Sequence, residues 1–323
     1  MITKRYGLTL SALIIVGAIC AFGLLAYGNP MPVGSEKFWL IAQRRAGAVA
    51  AMAVVAVCQA MATVAFHTVT GNRILTPSIM GFEALYVALN TATAYFAGAA
   101  AVSESWNLQT FAFQVALMVG LSLVLYSWLL TSRKQNMHAM LLIGIVIGGG
   151  LGSLSSFMQR ALTPSEFDVL TARLFGSVNN AQVEYYPVAI PLVAVATGFL
   201  FFNARRLNVV GLGADVATNL GVNHKLHAIV TLIAISVLIA VSTALVGPMT
   251  FLGFLVATLT YQLVDSYDHR LIFPMAVALA FAVLTSAYFF MQHVFHAQGV
   301  VSVIIELVGG ATFLVVILRK GRL

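Results

Sequence analysis

Charge is what this 323-residue chain has least of: Asp, Glu, Lys and Arg together make up 8% of it, against about 25% in an average soluble domain. Apolar residues make up 60% and the mean hydropathy is +0.96, so a soluble fold of this length lacks the polar shell to cover them. Cysteine is nearly absent. Cys20 and Cys58 each lie inside an apolar run, which argues against a disulfide framework or a metal pair and for two small packing residues. No G-x-x-x-x-G-K-S/T phosphate loop occurs, so the chain does not hydrolyse nucleotide by that route. The net charge of +7 comes without a basic run interleaved with aromatics, which excludes a nucleic-acid footprint. No stretch has the composition of a soluble domain.

What is present is a series of apolar runs of about 20 residues, each long enough to cross a ~30 Å hydrocarbon core. The alternating pattern of a membrane β-barrel is absent. Ten segments can be read, at 6–27, 45–66, 78–101, 109–131, 138–158, 185–203, 226–246, 249–264, 271–292 and 299–318. The first follows Lys4 and Arg5 but is too long for a signal-peptide core, so it reads as a span that stays. The eighth is short and follows Gly247-Pro248, and Pro suits a helix start; this segment reads as tilted or only partly spanning. With both termini inside, twelve of the 17 Lys and Arg residues fall on the inner side and five on the outer, as the positive-inside rule requires. Residues 28–43 and 160–184 then read as longer outer loops of mixed charge. The expected fold is an all-α polytopic membrane protein of about ten helices, one transmembrane domain over 1–323.

GLGADVATNLGVNHK, residues 211–225, is unusually polar for this chain. Leu212, Val216 and Leu220 fall four apart, on one face of a short helix. Gly213 lets the chain turn into it. Asp215 sits in its first turn, where the dipole favours negative charge, and Gly221 suits a C-terminal stop. Arg205 and Arg206 precede it, so a segment of about 205–225 forms an inner loop. Its apolar stripe is too small for stable membrane anchoring by itself and large enough to plug a groove on a partner.

The same stretch, LGADVATNLGV, resembles the L-G-x-x-x-A-x-x-L-G-V coupling segment of the iron-siderophore and vitamin B12 ABC importer permeases, the FecCD/BtuC type. Leu212, Gly213, Ala217, Leu220, Gly221 and Val222 match it. Three further stretches agree in order. NRILTPSIMGFEALYV (72–87) resembles N-P-L-A-x-P-x-x-L-G and is most similar to the ferric-siderophore permeases. In ALVGPMTFLGFLVATLTYQLVDSYDHRLIFP (244–274), Gly247, Pro248, Phe251, Gly253, Asp268, His269, Arg270 and Pro274 match, while the family's Pro-His is Ala257-Thr258. GVVSVIIELVGGATFLVVILRKGR (299–322) resembles the tenth-span ending.

The resemblance implies a type II importer permease of the bacterial inner membrane, with no catalytic residue, cofactor or metal of its own. It implies ABC ATPase subunits docked on Leu212–Val222 and a periplasmic or lipid-anchored substrate-binding protein outside. It also implies a second permease, identical or paralogous, and a ferric-siderophore cargo moved by alternating access. The family's outer R-x-P-R, whose arginines pair with glutamates of the binding protein, stands here as AQRR (42–45). Arg45 aligns with the second arginine and Arg44 is a substitute for the first; the other reading of both is snorkelling at lipid headgroups.

Glu83 and Glu306 each interrupt an apolar run, where an ionisable group costs about 2.5–3.5 kcal/mol on insertion scales. Lining the translocation path, carrying protons, and a structural bond to a neighbouring helix are all open for them. His293 and His296 share a helix face, but two histidines make a weak metal site. The cluster Gly144, Gly148, Gly149, Gly150 and Gly152 reads as close helix packing. His269 and Arg270 either cap a helix or meet the ATPase. Alternatives of function are a cobalamin or haem importer of the same fold and a proton-coupled secondary transporter. A membrane enzyme is the weakest reading, since no nucleophile–base pair or metal cluster can be assembled.

Overall fold

The computed structural model describes residues 4–104, 107–131, 137–295 and 301–320, and these contain helices and connecting loops with no strand. The helices are α1 (Lys4–Ala26), α2 (Glu36–Thr70), α3 (Phe82–Glu104), α4 (Leu108–Thr131), α5 (Met137–Arg160), α6 (Pro164–Leu174), α7 (Tyr186–Phe202), α8 (Ala204–Val210), α9 (Ala214–Asn219), α10 (His224–Val246), α11 (Thr250–Leu263), α12 (His269–His293) and α13 (Val301–Lys320). Each apolar run of the sequence carries one of them. Among the described residues, six segments are long and apolar enough to cross a membrane, on α1, α2, α5, α7 with the turn before it, α10 and α12; α4, α11 and α13 carry shorter apolar stretches. The chain is a multi-pass membrane protein.

Two expected outer loops are partly helical. α2 begins at Glu36, because the Ser35 side chain accepts the Phe38 N–H and Glu36 stands in the first turn. Its 35 residues extend about 52 Å at 1.5 Å each, more than a bilayer core, so residues 36–45, with charges at both ends, continue the helix instead of ending it. In the second loop, Thr163 and Glu166 form a capping box around Pro164 and start α6. Leu170 of α6 packs under α3 against Ala94 and Val102.

α2 and α10 lie at the centre, with α4, α7 and α12 around them; α1 packs on α12, and α11 on α13. Lipid tails are as apolar as leucine, so close packing of small residues and interhelical hydrogen bonds hold such helices together. The α1–α12 seam shows this: Gly17 faces Phe281 and Ala282, Cys20 Sγ lies 3.4 Å from Ser286 Oγ, and Gly23 faces Phe289. Between α2 and α11, Gly253 lies so close to Thr63 that a methyl group there would collide with its Oγ1. Between α2 and α10, the buried Gln59 amide donates to Ser242 Oγ at 3.2 Å. Cys58 is fully buried, and both thiols are free.

Gly247-Pro248 separates α10 from α11. Gly247 has φ 92°, a conformation open to glycine at little cost. The chain after α6 is stitched into this break: Ser177 N–H donates to Val246 C=O at 2.7 Å, Val178 N–H donates to Tyr288 Oη at 3.0 Å, and Gly176 leaves no room for a side chain beside the Pro248 carbonyl.

Candidate functional site

The polar stretch 211–225 forms a knob on a rigid root. Its root is α8, which buries Ala204, Leu207 and Val210 against the bundle. The chain leaves α8 at Gly211 and turns at Gly213, with φ 97°, into α9. α9 ends in a Schellman motif: Val222 N–H donates to Ala217 C=O at 2.9 Å, Gly221 N–H donates to Thr218 C=O at 3.0 Å, and Gly221 has φ 79°. Asn223 then caps α10, its Oδ1 accepting the Leu226 N–H at 3.1 Å. Ala217 is fully buried on the inner face of α9, whereas Leu212, Val216 and Leu220 are 60%, 44% and 60% exposed. Asp215 stands exposed in the first turn. The knob therefore presents an apolar stripe that nothing among the described residues covers, between two glycines whose backbone is strained for a residue with a side chain.

The root is tied to two neighbouring helices. Asn208 of α8 donates through Nδ2 to Asp268 Oδ1 at 2.9 Å. Its Oδ1 lies 3.0 Å from the His269 N–H and 2.5 Å from His269 Nδ1. His269 Nε2 lies 2.6 Å from Thr68 Oγ1 on α2. Asp268 also caps α12, accepting the Arg270 N–H at 3.1 Å. Partial burial pushes the Asp268 carboxyl up, but the bonds from Asn208 and Arg270, with the positive charge of Arg270, outweigh it and hold it below the ordinary carboxylate range. Beside this root is a pocket of about 280 Å³ lined by His67, Arg73, Tyr261 and Tyr267, in which the Arg73 guanidinium lies 4.5 Å from the Tyr261 ring. Asn208 and Thr68 were not singled out by sequence. Their signal was weak, a polar residue near the end of an apolar stretch, and the partner of each is far along the chain.

At the opposite end of the bundle, the two arginines separate. Arg45 donates to the carbonyls of Leu24, Tyr27 and Gly28 at 3.3, 3.0 and 3.3 Å, so it caps the C-terminal end of α1. His293 joins it, with Nε2 3.2 Å from the Tyr27 carbonyl. Arg44 is exposed and lines the mouth of a cavity of about 740 Å³ with Asn179, Tyr288 and Gln292. His296 lies outside the described residues. Among the described residues no group of three metal-ligating side chains occurs.

Glu83 stands in the first turn of α3 and accepts the Thr250 hydroxyl at 2.5 Å. α11 lacks a capping side chain of its own, and Glu83 reaches across to the Met249 backbone at its N-cap as well as to the Thr250 hydroxyl, placing a carboxylate where the helix dipole favours one. Its other oxygen is buried, and the Ser78 hydroxyl and the Met249 backbone also stand beside the carboxyl. Glu306 is half-buried on α13, within electrostatic reach of Glu83. The structure thus brings these two carboxylates near each other, and keeps them apart from the knob. Of the glycine cluster, Gly144 and Gly148 face Gly81, whereas Gly149, Gly150 and Gly152 have open space beside them.

The FecCD transport family model matches residues 8–319. The chain belongs to the FecCD transport family. It is 52% identical to the petrobactin import system permease protein FatC of Bacillus anthracis, over 99% of this chain and 90% of that one. It is 33% identical to the petrobactin import system permease protein YclO of Bacillus subtilis, over 96% and 97%. A solved structure described as an inward-facing, putatively metal-chelate type ABC transporter has the same fold, with a TM-score of 0.82 at 18% identity over 96% of this chain and 98% of that one.

Proposed function

We propose that this chain is the permease subunit of an ATP-driven, binding-protein-dependent importer of a ferric siderophore in the bacterial inner membrane. The two petrobactin permeases to which it is similar make a petrobactin-type chelate the first cargo to test. The chain crosses the membrane ten times with both termini in the cytoplasm, which the excess of Lys and Arg on that side supports. It pairs with a second permease, identical or paralogous, so that the path lies between them. One observation carries the reading: a knob held by positive-φ glycines with Leu212, Val216 and Leu220 uncovered. On this reading the stripe, with Gly213, Asp215, Ala217, Gly221 and Val222 setting its shape, seats in a groove of the ATPase. ATP then favours one conformation by its differential affinity for the two.

Outside, Arg44 is the arginine free to meet an acidic residue of the binding protein, because Arg45 is engaged with α1. Glu306 lines the path. Glu83 is tied to α11 as a cap, which favours a structural role over proton carriage. The test is purification in detergent: the wild-type chain brings down an ATPase, and Leu220→Asp does not. A wild-type chain that purifies alone and moves the ferric chelate in vesicles without ATP would sink the reading.

A further inference from the structure

We infer that Thr68, His269 and Asn208 form the joint through which movement of the knob reaches α2 and α12, making them positioning residues for coupled transport. The inference rests on the importer reading above.

The hydrogen-bond inventory makes the joint directional. Asn208 Nδ2 faces Asp268 Oδ1, so its amide oxygen faces His269, and an oxygen can only accept. It takes the backbone N–H of His269, and His269 Nδ1 beside it must carry its proton. In a neutral imidazole Nε2 is then the acceptor, and the group facing it is the Thr68 hydroxyl at 2.6 Å. The same hydroxyl lies 3.0 Å from the Val64 carbonyl of its own helix. It has one proton for two acceptors, so the Thr68 hydroxyl is shared between its own helix and α12. The donors run in one sense, from Thr68 to His269, from His269 to Asn208 and from Asn208 to Asp268.

The joint is also stiff. His269 is buried and meets the Phe273 ring edge-on at a centroid distance of 5.3 Å. Gly211, where the chain leaves α8, fits so closely on Thr68 that an added Cβ would lie 3.2 Å from its Cγ2. α2 therefore holds the root of the knob twice, by a steric fit at Gly211 and by the polar chain through His269. A displacement of α8 by about an ångström takes bonds of this length out of range. Either α2 and α12 follow the root, or buried polar groups lose their partners, which is the costlier outcome.

The test uses the complete complex of permease, ATPase and binding protein in liposomes, with ferric petrobactin as the probe. Thr68→Val keeps the shape and removes the hydroxyl. The variant is expected to retain the ATPase and hydrolyse ATP, while chelate imported per ATP falls at least about fivefold, the shift expected from one buried hydrogen bond. Asn208→Ala should do the same, the double variant should be no worse than either single one, and Thr68→Ser should restore the ratio. A purely structural role would lower the yield of complex without lowering that ratio. A second readout needs no cargo: ATP should change hydrogen exchange at the start of α12 in the wild-type complex, and in Thr68→Val only in α8 and α9. Intact complexes of both variants that import the wild-type number of chelates per ATP, or an unchanged exchange response in α12 of Thr68→Val, overturn the joint. A wild-type chain that retains no ATPase overturns the importer reading itself and the joint with it.

Discussion

At the scale of single residues, several polar side chains in this apolar protein finish the ends of helices to which they do not belong. Arg45 closes α1, Glu83 opens α11 and Asn208 holds the N-terminal turn of α12. Backbone groups at helix ends have no partner within the helix and no water inside a bilayer, so a side chain from elsewhere must serve them. Glu83→Leu should lower the stability of the purified protein by about 1–3 kcal/mol, because it strips the cap and leaves Thr250 without its acceptor. Glu83→Gln should recover most of that, and equal melting temperatures for the two in detergent would refute the cap. For Asp268 the sign follows from its lowered titration. Its stabilising contribution is complete above the ordinary carboxylate range and is lost as the pH falls through the lower value it has in the fold. Acid melting curves of the wild type and Asp268→Asn should therefore converge as the pH drops; a constant gap between them would show that the charge is not what matters.

At the scale of elements, the knob derives its shape from two glycines, and on the importer reading the three exposed apolar residues are its docking face. Gly221→Ala forces a side chain into a left-handed conformation at about 1–2 kcal/mol. It should reduce import without removing the protein from the membrane, and Gly221→Leu should uncouple it more completely. Asp215→Lys with Leu220→Asp changes charge and stripe together and should abolish ATPase retention. Co-purification and ATP-driven uptake measured on the same preparations check all three. The α2–α11 seam makes a separate prediction: Gly253→Val overfills the space beside Thr63 and should cost about 1–3 kcal/mol, read as a lower melting temperature in detergent.

At the scale of the whole molecule, the question is which end of the bundle faces which compartment. With Cys20 and Cys58 replaced by Ala, a single cysteine at Asn219 should react with an impermeant maleimide only after the membrane is opened, and one at Ser165 should react from outside in intact cells. The reverse pattern would invert the topology and place the knob beyond reach of an ATPase. Both added cysteines fall on exposed positions of this chain, so burial within the chain cannot mimic protection by the membrane.

Membrane class, the positions of the apolar runs and the outline of the knob were legible in the amino-acid sequence, because hydropathy, charge bias and glycine punctuation act over a few residues at a time. The stripe Leu212, Val216 and Leu220 could be read at its helical spacing, and so could the stop at Gly221. The capping box that starts α6 is equally local, in Thr163, Pro164 and Glu166, within a stretch whose mixed charge reads as a loop. Other features had no local signal. The bond from Glu83 to Thr250 spans 167 positions and that from Thr68 to His269 spans 201. Whether a buried glutamate is a cap or a carrier, and whether an arginine is free or engaged, depends on which backbone groups the packing brings beside it. Sequence set what each residue could donate or accept; tertiary structure alone chose the partner, because distant helices meet only once the bundle has closed.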